Sequence, residues 1–231
     1  MRKIFIVAVI ISSIFVNSQA QQKVKISRSE PPTTDGKIEE TEWKDASVFD
    51  LTGGGKVFFK HDGKYVYVAV RAVKAGWTHL YLSEAEKREI SVLHASAALG
   101  KVVYRKDKEN LWQPLNDFSW ELRDRAFTVE VQRKMADYVA KNNWAANNNN
   151  MGNRTEVEFQ IKLQNASNKK FRMAIVYAVD RTTSHFFPNT LNDDCLKPEL
   201  VAGNRMQDVK FDRNGWAEIV LENKKSKSAG K

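Results

Sequence analysis

Alternation of apolar and polar residues is the strongest constraint that this chain places on its fold. Between residues 155 and 163, Val157, Phe159 and Ile161 alternate with charged and amide side chains. Successive side chains of a β-strand point to opposite faces of a sheet, so the pattern predicts a strand with one apolar and one solvated face. Residues 64–72 also alternate, but both sets contain apolar side chains. They are predicted to form a strand that is covered on both faces or that lines a site.

The same period recurs in other short segments, and turn-forming residues separate them. The further predicted strands are residues 77–82, 90–94, 101–105, 126–133, 170–180 and 216–222. The Asn- and Ser-containing residues 165–168 are predicted to turn the 155–163 strand into a hairpin with the 170–180 strand. Many short strands without a β-α-β rhythm predict an all-β fold. Its expected form is an antiparallel β-sandwich of the jelly-roll or immunoglobulin-like kind.

Two short helices are expected in the connections between strands. Residues 39–46 place Trp43 and Ala46 on one side, because positions three apart share a helix face. Residues 134–146 group Met135, Tyr138 and Val139, and the Asn-rich residues 142–153 that follow are predicted to be a loop. Trp43 and Trp216 are expected in the core.

The first 20 residues have the composition of a secretory signal peptide. Arg2 and Lys3 precede an apolar run over residues 4–16, and small and polar residues lead to Ala20, where cleavage is expected. The apolar run is shorter than the roughly 20 residues that span a bilayer. We therefore expect a secreted or periplasmic protein, without a transmembrane anchor after cleavage.

Charge and cysteine content restrict the function classes. The net charge is +9, and it becomes +7 when Arg2 and Lys3 are removed. Basic residues are scattered, apart from a lysine-rich tail at 223–231 that is predicted to be disordered. No basic face interleaved with aromatics is found, so nucleic acid is not an expected partner. Cys195 is the single cysteine, which excludes an internal disulfide and leaves stability to an apolar core.

Four motifs in a fixed order resemble a known family. They are the Asp35-Gly36 turn leading to Trp43, the Asp62-Gly63 turn before the 65–70 strand, the 156–163 strand and the 216–221 strand. This order resembles family 9 carbohydrate-binding modules and DOMON-like domains, over residues 24–222. The resemblance implies a two-sheet sandwich that binds its ligand through aromatic and polar side chains, sometimes with structural calcium.

Residues 84–150 do not match this family, and most of the candidate ligand-binding residues lie there. Sugar rings pack their C–H faces on aromatic rings, and their hydroxyls need fixed polar partners. Tryptophans among amides and carboxylates fit that requirement, with polar neighbours as hydrogen-bonding groups. The predicted ligand-binding residues are Trp112, Trp144, Trp120, Trp77, Gln113, Asn116 and Asn143. The predicted function is non-catalytic binding of a carbohydrate or polysaccharide.

Haem b is the alternative ligand, because DOMON-like sandwiches also resemble haem-binding electron-transfer domains. Axial ligation requires Met or His side chains, and Met173 with His94 is the most plausible pair. No Cys-x-x-Cys-His motif exists, which excludes c-type attachment. Calcium could be held by Asp193 and Asp194, or by Asp35 with neighbouring glutamates, although no Asp-x-Asp-x-Asp-Gly loop is present.

Catalysis has weak support in the sequence. Ser96 follows His94 at a spacing that places both on one strand face, but no Gly-x-Ser-x-Gly elbow occurs. Carboxylates are too numerous to single out a glycosidase pair. A third interpretation is an accessory domain linked to glycoside hydrolysis, and no catalytic residue is assigned.

Overall fold

A mixed β-sheet of 14 strands dominates the described part of the chain. The computed structural model describes residues 21–84, 88–96, 98–108, 112–115, 119–121, 128–148, 155–162, 170–191, 211 and 213–225. The strands are β1 (Lys23–Arg28), β2 (Ser47–Leu51), β3 (Gly55–His61), β4 (Tyr65–Arg71), β5 (Trp77–Glu84), β6 (Glu89–Ala95), β7 (Leu99–Lys106), β8 (Trp112–Pro114), β9 (Ser119–Glu121), β10 (Trp144–Asn148), β11 (Glu156–Lys162), β12 (Lys170–Ala178), β13 (Ser184–Phe187) and β14 (Ala217–Lys225). The helices are α1 (Glu40–Trp43) and α2 (Val129–Asn142), with 3₁₀ turns at Thr52–Gly54 and Arg213–Gly215.

The strand order departs from a purely antiparallel sheet. Along the main path the order is β10-β11-β4-β3-β1-β14-β12-β5-β6-β7-β8. Strand β1 is parallel to both β14 and β3, and the other described pairs are antiparallel. The all-β prediction is confirmed, but the expectation of antiparallel pairing throughout is wrong at β1. Period two fixes which face a side chain occupies and carries no information on partner direction. The finer assignment to a sandwich or jelly-roll stays a prediction.

The β3–β4 hairpin forms as the Asp62-Gly63 turn predicts. Gly63 has φ +94°, a left-handed conformation that glycine adopts without a Cβ penalty. Asp62 Oδ1 accepts hydrogen bonds from the backbone N–H groups of Lys64 and Tyr65, both at 2.7 Å. The turn therefore fixes where β4 begins.

The predicted hairpin of residues 155–163 with residues 170–180 is wrong. Strand β11 pairs with β4 and β10, whereas β12 pairs with β5, β13 and β14. Phe159 lies opposite Val68 of β4, so the apolar faces of these two strands coincide in the core. The partner of β11 is therefore decided by the match between the apolar faces of two distant segments. The turn-forming residues between β11 and β12 do not decide it.

The predicted strand at residues 126–133 is also wrong, because helix α2 begins inside it. Thr128 is the N-cap, and its side chain accepts a hydrogen bond from the Val131 N–H at 3.2 Å. Met135 and Val139 are four residues apart and both buried, which fixes the helix on the core. Asn143 ends it in the left-handed conformation, with φ 64°. Residues 144–148 of the predicted Asn-rich loop form β10 instead.

Two apolar clusters lie on opposite faces of the sheet. Ile175 and Leu80 are directly paired and belong to the larger cluster, whereas the next pair, Ala174 and Tyr81, belongs to the second. The second cluster is rich in aromatic rings and includes Trp216, which is fully buried as predicted. Strand β14 extends to Lys225, into the predicted tail. The predicted signal peptide (1–20), Cys195 and residues 226–231 lie outside the described residues.

Candidate functional site

A groove of about 360 Å³ lies between helix α2 and the adjoining ends of β4 and β11. Its lining combines one aromatic ring, one amide, two ammonium groups and small apolar side chains. The lining residues are Lys64, Tyr65, Ala136, Val139, Ala140, Gln160 and Lys162. Tyr65 and Gln160 are half-buried, and both lysines are exposed. The polar groups therefore reach solvent beside a ring that the fold holds in place.

The register of β4 and β11 brings these side chains onto one face. Tyr65 lies directly opposite Lys162, and Tyr67 lies opposite Gln160. Paired residues share a face of the sheet, and so do residues two apart on one strand. The Lys64 Nζ atom lies 5.1 Å from the Tyr65 ring centroid, within cation–π range. Residues almost 100 positions apart in sequence thus meet in one groove.

Small residues on α2 keep the groove open. Ala136 and Ala140 are four positions apart, so they share one side of the helix. Neither carries a side chain beyond Cβ that could fill the space above Tyr65. This wall of the groove is accordingly apolar and shallow.

A segment that we call the strap, residues 33–46, covers the neighbouring part of the same sheet face. Trp43 is 3% exposed and forms an apolar cluster with Ile38, Tyr67 and Ala69, which confirms the prediction that Trp43 is a core residue. Its ring packs edge-on against Phe58 at a centroid distance of 6.0 Å. The strap covers this part of the sheet, and the groove lies where the same face continues to Gln160 and Lys162.

Glu158 holds the strap on the sheet through three hydrogen bonds. Its Oε2 atom accepts hydrogen bonds from the backbone N–H groups of Asp35 at 3.0 Å and Gly36 at 2.8 Å. Its Oε1 atom accepts one from Trp43 Nε1 at 2.8 Å. Glu158 is 1% exposed, so its expected place on a solvated face is wrong. The alternation along β11 correctly predicts which side chains face the core. It does not predict burial of the other face, because the strap that covers this face lies more than 100 residues earlier in the sequence.

Further polar contacts hold the strap along its length. Lys60 is almost fully buried and forms an ion pair with Asp45 at 2.6 Å. Arg71 contacts Glu156 at 2.6 Å and donates to the Ile38 carbonyl, and the Ile38 N–H donates back to Glu156. These charged groups therefore stabilise the strap on the sheet.

The predicted tryptophan site is not assembled in this conformation. Trp144 is 1% exposed and packs against Tyr138 and Phe159 in the larger cluster. Trp112 is 4% exposed and packs against Phe211 in the second cluster, on the opposite face of the sheet. Both rings stabilise the fold here and present no face to solvent, because their apolar area is used in the core. Their contact with a ligand stays a prediction.

The other predicted site residues are dispersed. Trp77 is half-buried at the start of β5, Gln113 lies beside Trp112 in β8, and Asn143 terminates α2. The backbone of Trp120 belongs to β9, and Asn116 lies outside the described residues. Tyr65, Gln160 and the two lysines were not among the predicted site residues, since only the β4–β11 register brings them together. The one available clue was an aromatic residue two positions after the Asp62-Gly63 turn.

The proposed haem ligands do not face each other. His94 lies opposite His79, which lies opposite Val176 of β12. Met173 is three residues from Val176, so it points to the other face of the sheet, where it is fully buried in the larger cluster. Met173 and His94 therefore cannot bind one haem from its two sides. The alternative of haem through this pair is wrong.

His79, which is half-buried, and His94, which is buried, form a pair with Ser96 beside them. The ring centroids are 4.8 Å apart, and His94 Nε2 lies 2.9 Å from Ser96 Oγ. Burial lowers the pKa of His79 to about 4 and that of His94 to about 3, so both rings are neutral at pH 7. No group of three or more His, Cys, Asp or Glu side chains in the described ranges is placed to hold a metal ion. Asp193 and Asp194 fall outside these ranges.

Glu158 and the two paired histidines predict a stability maximum near pH 6.5. Burial raises the pKa of Glu158 to about 8, whereas the carboxyl of the unfolded chain has its ordinary pKa of 4.5 and loses its proton first. Stability then falls as the pH rises through this interval, by on the order of a few kcal/mol. The two histidines have the opposite effect on stability. Their imidazoles bind protons below pH 6.5 in the unfolded chain, whereas in the folded protein they do so only near pH 4 and pH 3.

The melting temperature between pH 4 and pH 9 tests this expectation, in the wild type and two variants. Glu158→Gln should flatten the decline above pH 6.5, and His79→Phe should reduce the decline below it. If Glu158→Gln declines above pH 6.5 as steeply as the wild type, this carboxyl is not the group responsible.

Comparisons with known proteins give one distant structural similarity. No protein-family model matches the chain, and no curated protein is significantly similar in sequence. Among solved structures, the chain is similar to a "putative carbohydrate-binding protein" from Bacteroides uniformis ATCC 8492, with a TM-score of 0.46 and 9% sequence identity. The match covers 88% of this chain and 100% of the other. A similarity this low does not identify a ligand. Within the described residues, no helix is long and apolar enough to cross a membrane.

Proposed function

We propose that this protein binds carbohydrate without catalysis, and that the groove beside Tyr65 is the binding site. One observation carries the proposal. A half-buried tyrosine ring borders a solvent-accessible groove of about 360 Å³ together with an amide and two ammonium groups. From the sequence of residues 1–20, we further propose that it acts outside the cytoplasm, as a secreted or periplasmic protein.

The groove offers the two kinds of contact that sugar recognition needs. The C–H face of a pyranose ring can pack on the exposed part of Tyr65, and the alanines of α2 leave room for it. Gln160 offers both a donor and an acceptor to sugar hydroxyls. The volume lies near the lower end of the range for small-molecule sites, which favours a short glycan segment over a long buried one.

The Tyr65 ring is expected to provide the main apolar contact with the sugar. Tyr65→Ala should weaken binding at least tenfold, which is the effect expected for truncating an aromatic anchor. Tyr65→Phe is the matched control, because it keeps the ring and should keep most of the affinity. A glycan array would first identify a bound sugar, and isothermal titration calorimetry would then compare the variants. Unchanged affinity in Tyr65→Ala would reject this site, and absence of any bound glycan would reject carbohydrate binding.

A further inference from the structure

We infer that the groove is selective for anionic glycans, whose sugars carry a carboxylate or a sulfate group. The inference rests on the proposed carbohydrate binding and names the ligand class. Three features of the described residues support it: the position of two lysines, the lack of acidic groups in the lining, and the internal use of the neighbouring carboxylate.

The two lysines both line the groove beside Tyr65. Lys64 precedes Tyr65 in the chain, and its Nζ atom lies 5.1 Å from the Tyr65 ring centroid. Lys162 lies directly opposite Tyr65 on the adjacent strand. A sugar bound beside this ring would therefore have two lysine side chains in the lining of the same groove. The side chains are long and flexible enough to follow a carboxylate or a sulfate at different ring positions.

No acidic side chain neutralises these lysines in the part of the chain that the structure describes. Neither Lys64 nor Lys162 takes part in any described ion pair, and no described residue that lines the groove is acidic. Asp62 is close in sequence, but its Oδ1 atom accepts from two backbone N–H groups and its Oδ2 atom from the Tyr67 hydroxyl at 2.9 Å. These bonds hold both carboxylate oxygens at the turn, outside the lining of the groove, although the carboxylate keeps its negative charge.

A groove whose described lining carries two ammonium groups and no acidic group favours a negatively charged ligand. The attraction between an ammonium group and an anion at contact distance is modest in water and larger in a partly enclosed site. The net charge, which is +7 once Arg2 and Lys3 are removed, adds a longer-range attraction of the same sign. We therefore expect about a tenfold preference for the charged form of an otherwise identical glycan, and a loss of that preference at high ionic strength.

Calorimetry with charge-matched ligand pairs tests the inference. One pair is a galacturonic acid hexamer and its methyl ester, and the other is a sulfated galactan oligosaccharide and its desulfated form. The variant is Lys64→Gln combined with Lys162→Gln. Its control is Lys23→Gln combined with Lys25→Gln, which removes the same charge from exposed lysines of β1. Wild type and control should bind one acidic ligand about tenfold more tightly than its neutral partner, and the groove variant should not. The pair that shows the preference distinguishes carboxylate from sulfate.

Failure of this inference differs from failure of the proposed function. If neutral and acidic partners bind equally and Tyr65→Ala weakens both, carbohydrate binding stands and anionic selectivity is rejected. Equal loss of the preference in the groove variant and the β1 control would also reject it, because overall charge would then be responsible. If none of the four ligands and no sugar on the glycan array binds, the proposed function itself is wrong.

Discussion

Glu158→Ala is expected to lower the free energy of unfolding by about 3–5 kcal/mol, as measured by urea denaturation at pH 7. The substitution removes the acceptor of three hydrogen bonds, two from the strap backbone at Asp35 and Gly36 and one from the Trp43 indole. Each buried donor left without a partner costs about 1–3 kcal/mol. The strap would also lose its central attachment to the sheet, so near-ultraviolet circular dichroism of Trp43 should change.

Two control variants test whether the loss of stability is specific to Glu158 or would follow from the removal of any glutamate. Glu222 lies on β14 and pairs with Lys25 across 3.6 Å, with its side chain 39% exposed. Glu222→Ala should therefore cost less than about 1 kcal/mol. Trp43→Phe removes one of the three donors and should fall between the two. A cost for Glu158→Ala no greater than that for Glu222→Ala would mean that the strap is not held through this carboxyl.

Trp144→Ala is expected to lower the free energy of unfolding by about 3–5 kcal/mol, which is typical of emptying a large buried aromatic site. The ring is 1% exposed, lies 5.7 Å from the Tyr138 ring and 6.4 Å from the Phe159 ring, and thus joins helix α2 to β11. Its indole N–H is buried and has no hydrogen-bond partner in the described structure. Trp144→Phe removes that unsatisfied donor together with part of the ring, so its cost should be clearly smaller.

Trp77 provides the comparison for Trp144, since it is the half-buried member of the predicted tryptophan set. Trp77→Ala should cost less than Trp144→Ala in the same denaturation experiment. Titration with any glycan found on the array adds a second measurement. Should Trp144→Ala leave stability unchanged and abolish glycan binding, the ring would belong to a ligand site and its burial here would not represent the bound form.

The period-two pattern was sufficient to predict that both faces of β4 are covered. Residues 64–72 were predicted to form a strand covered on both sides, and Tyr67, Val68 and Ala69 are all buried as that pattern requires. The Asp62-Gly63 turn was equally informative, because two-residue hairpin turns have strict conformational requirements. These features depend on a few consecutive residues and can be derived without knowing the rest of the chain.

Properties that depend on distant partners could not be derived in this way. The pairing of β11 with β4 decides that Gln160 and Lys162 meet Tyr65, and neither segment indicates the other. Glu158 has the polarity of a solvated position, and only the strap makes it a buried acceptor. The tryptophans with polar sequence neighbours resembled binding residues, yet Trp144 is buried in the larger cluster. Trp112 is buried in the second cluster, with Lys106 and Arg213 over its ring.

The parallel pairing of β1 constrains the order in which the sheet can form during synthesis. Val24 and Ile26 of β1 pair with Ile219 and Leu221 of β14, nearly 200 residues later in the chain. A ribosome adds residues one at a time, so most of the described strands exist before the main partner of β1 has been made. Contacts of such long sequence separation are slow to form, because a large loop must close first. The middle of the sheet is therefore completed only after β14 has been released, and until then β1 lacks its main partner.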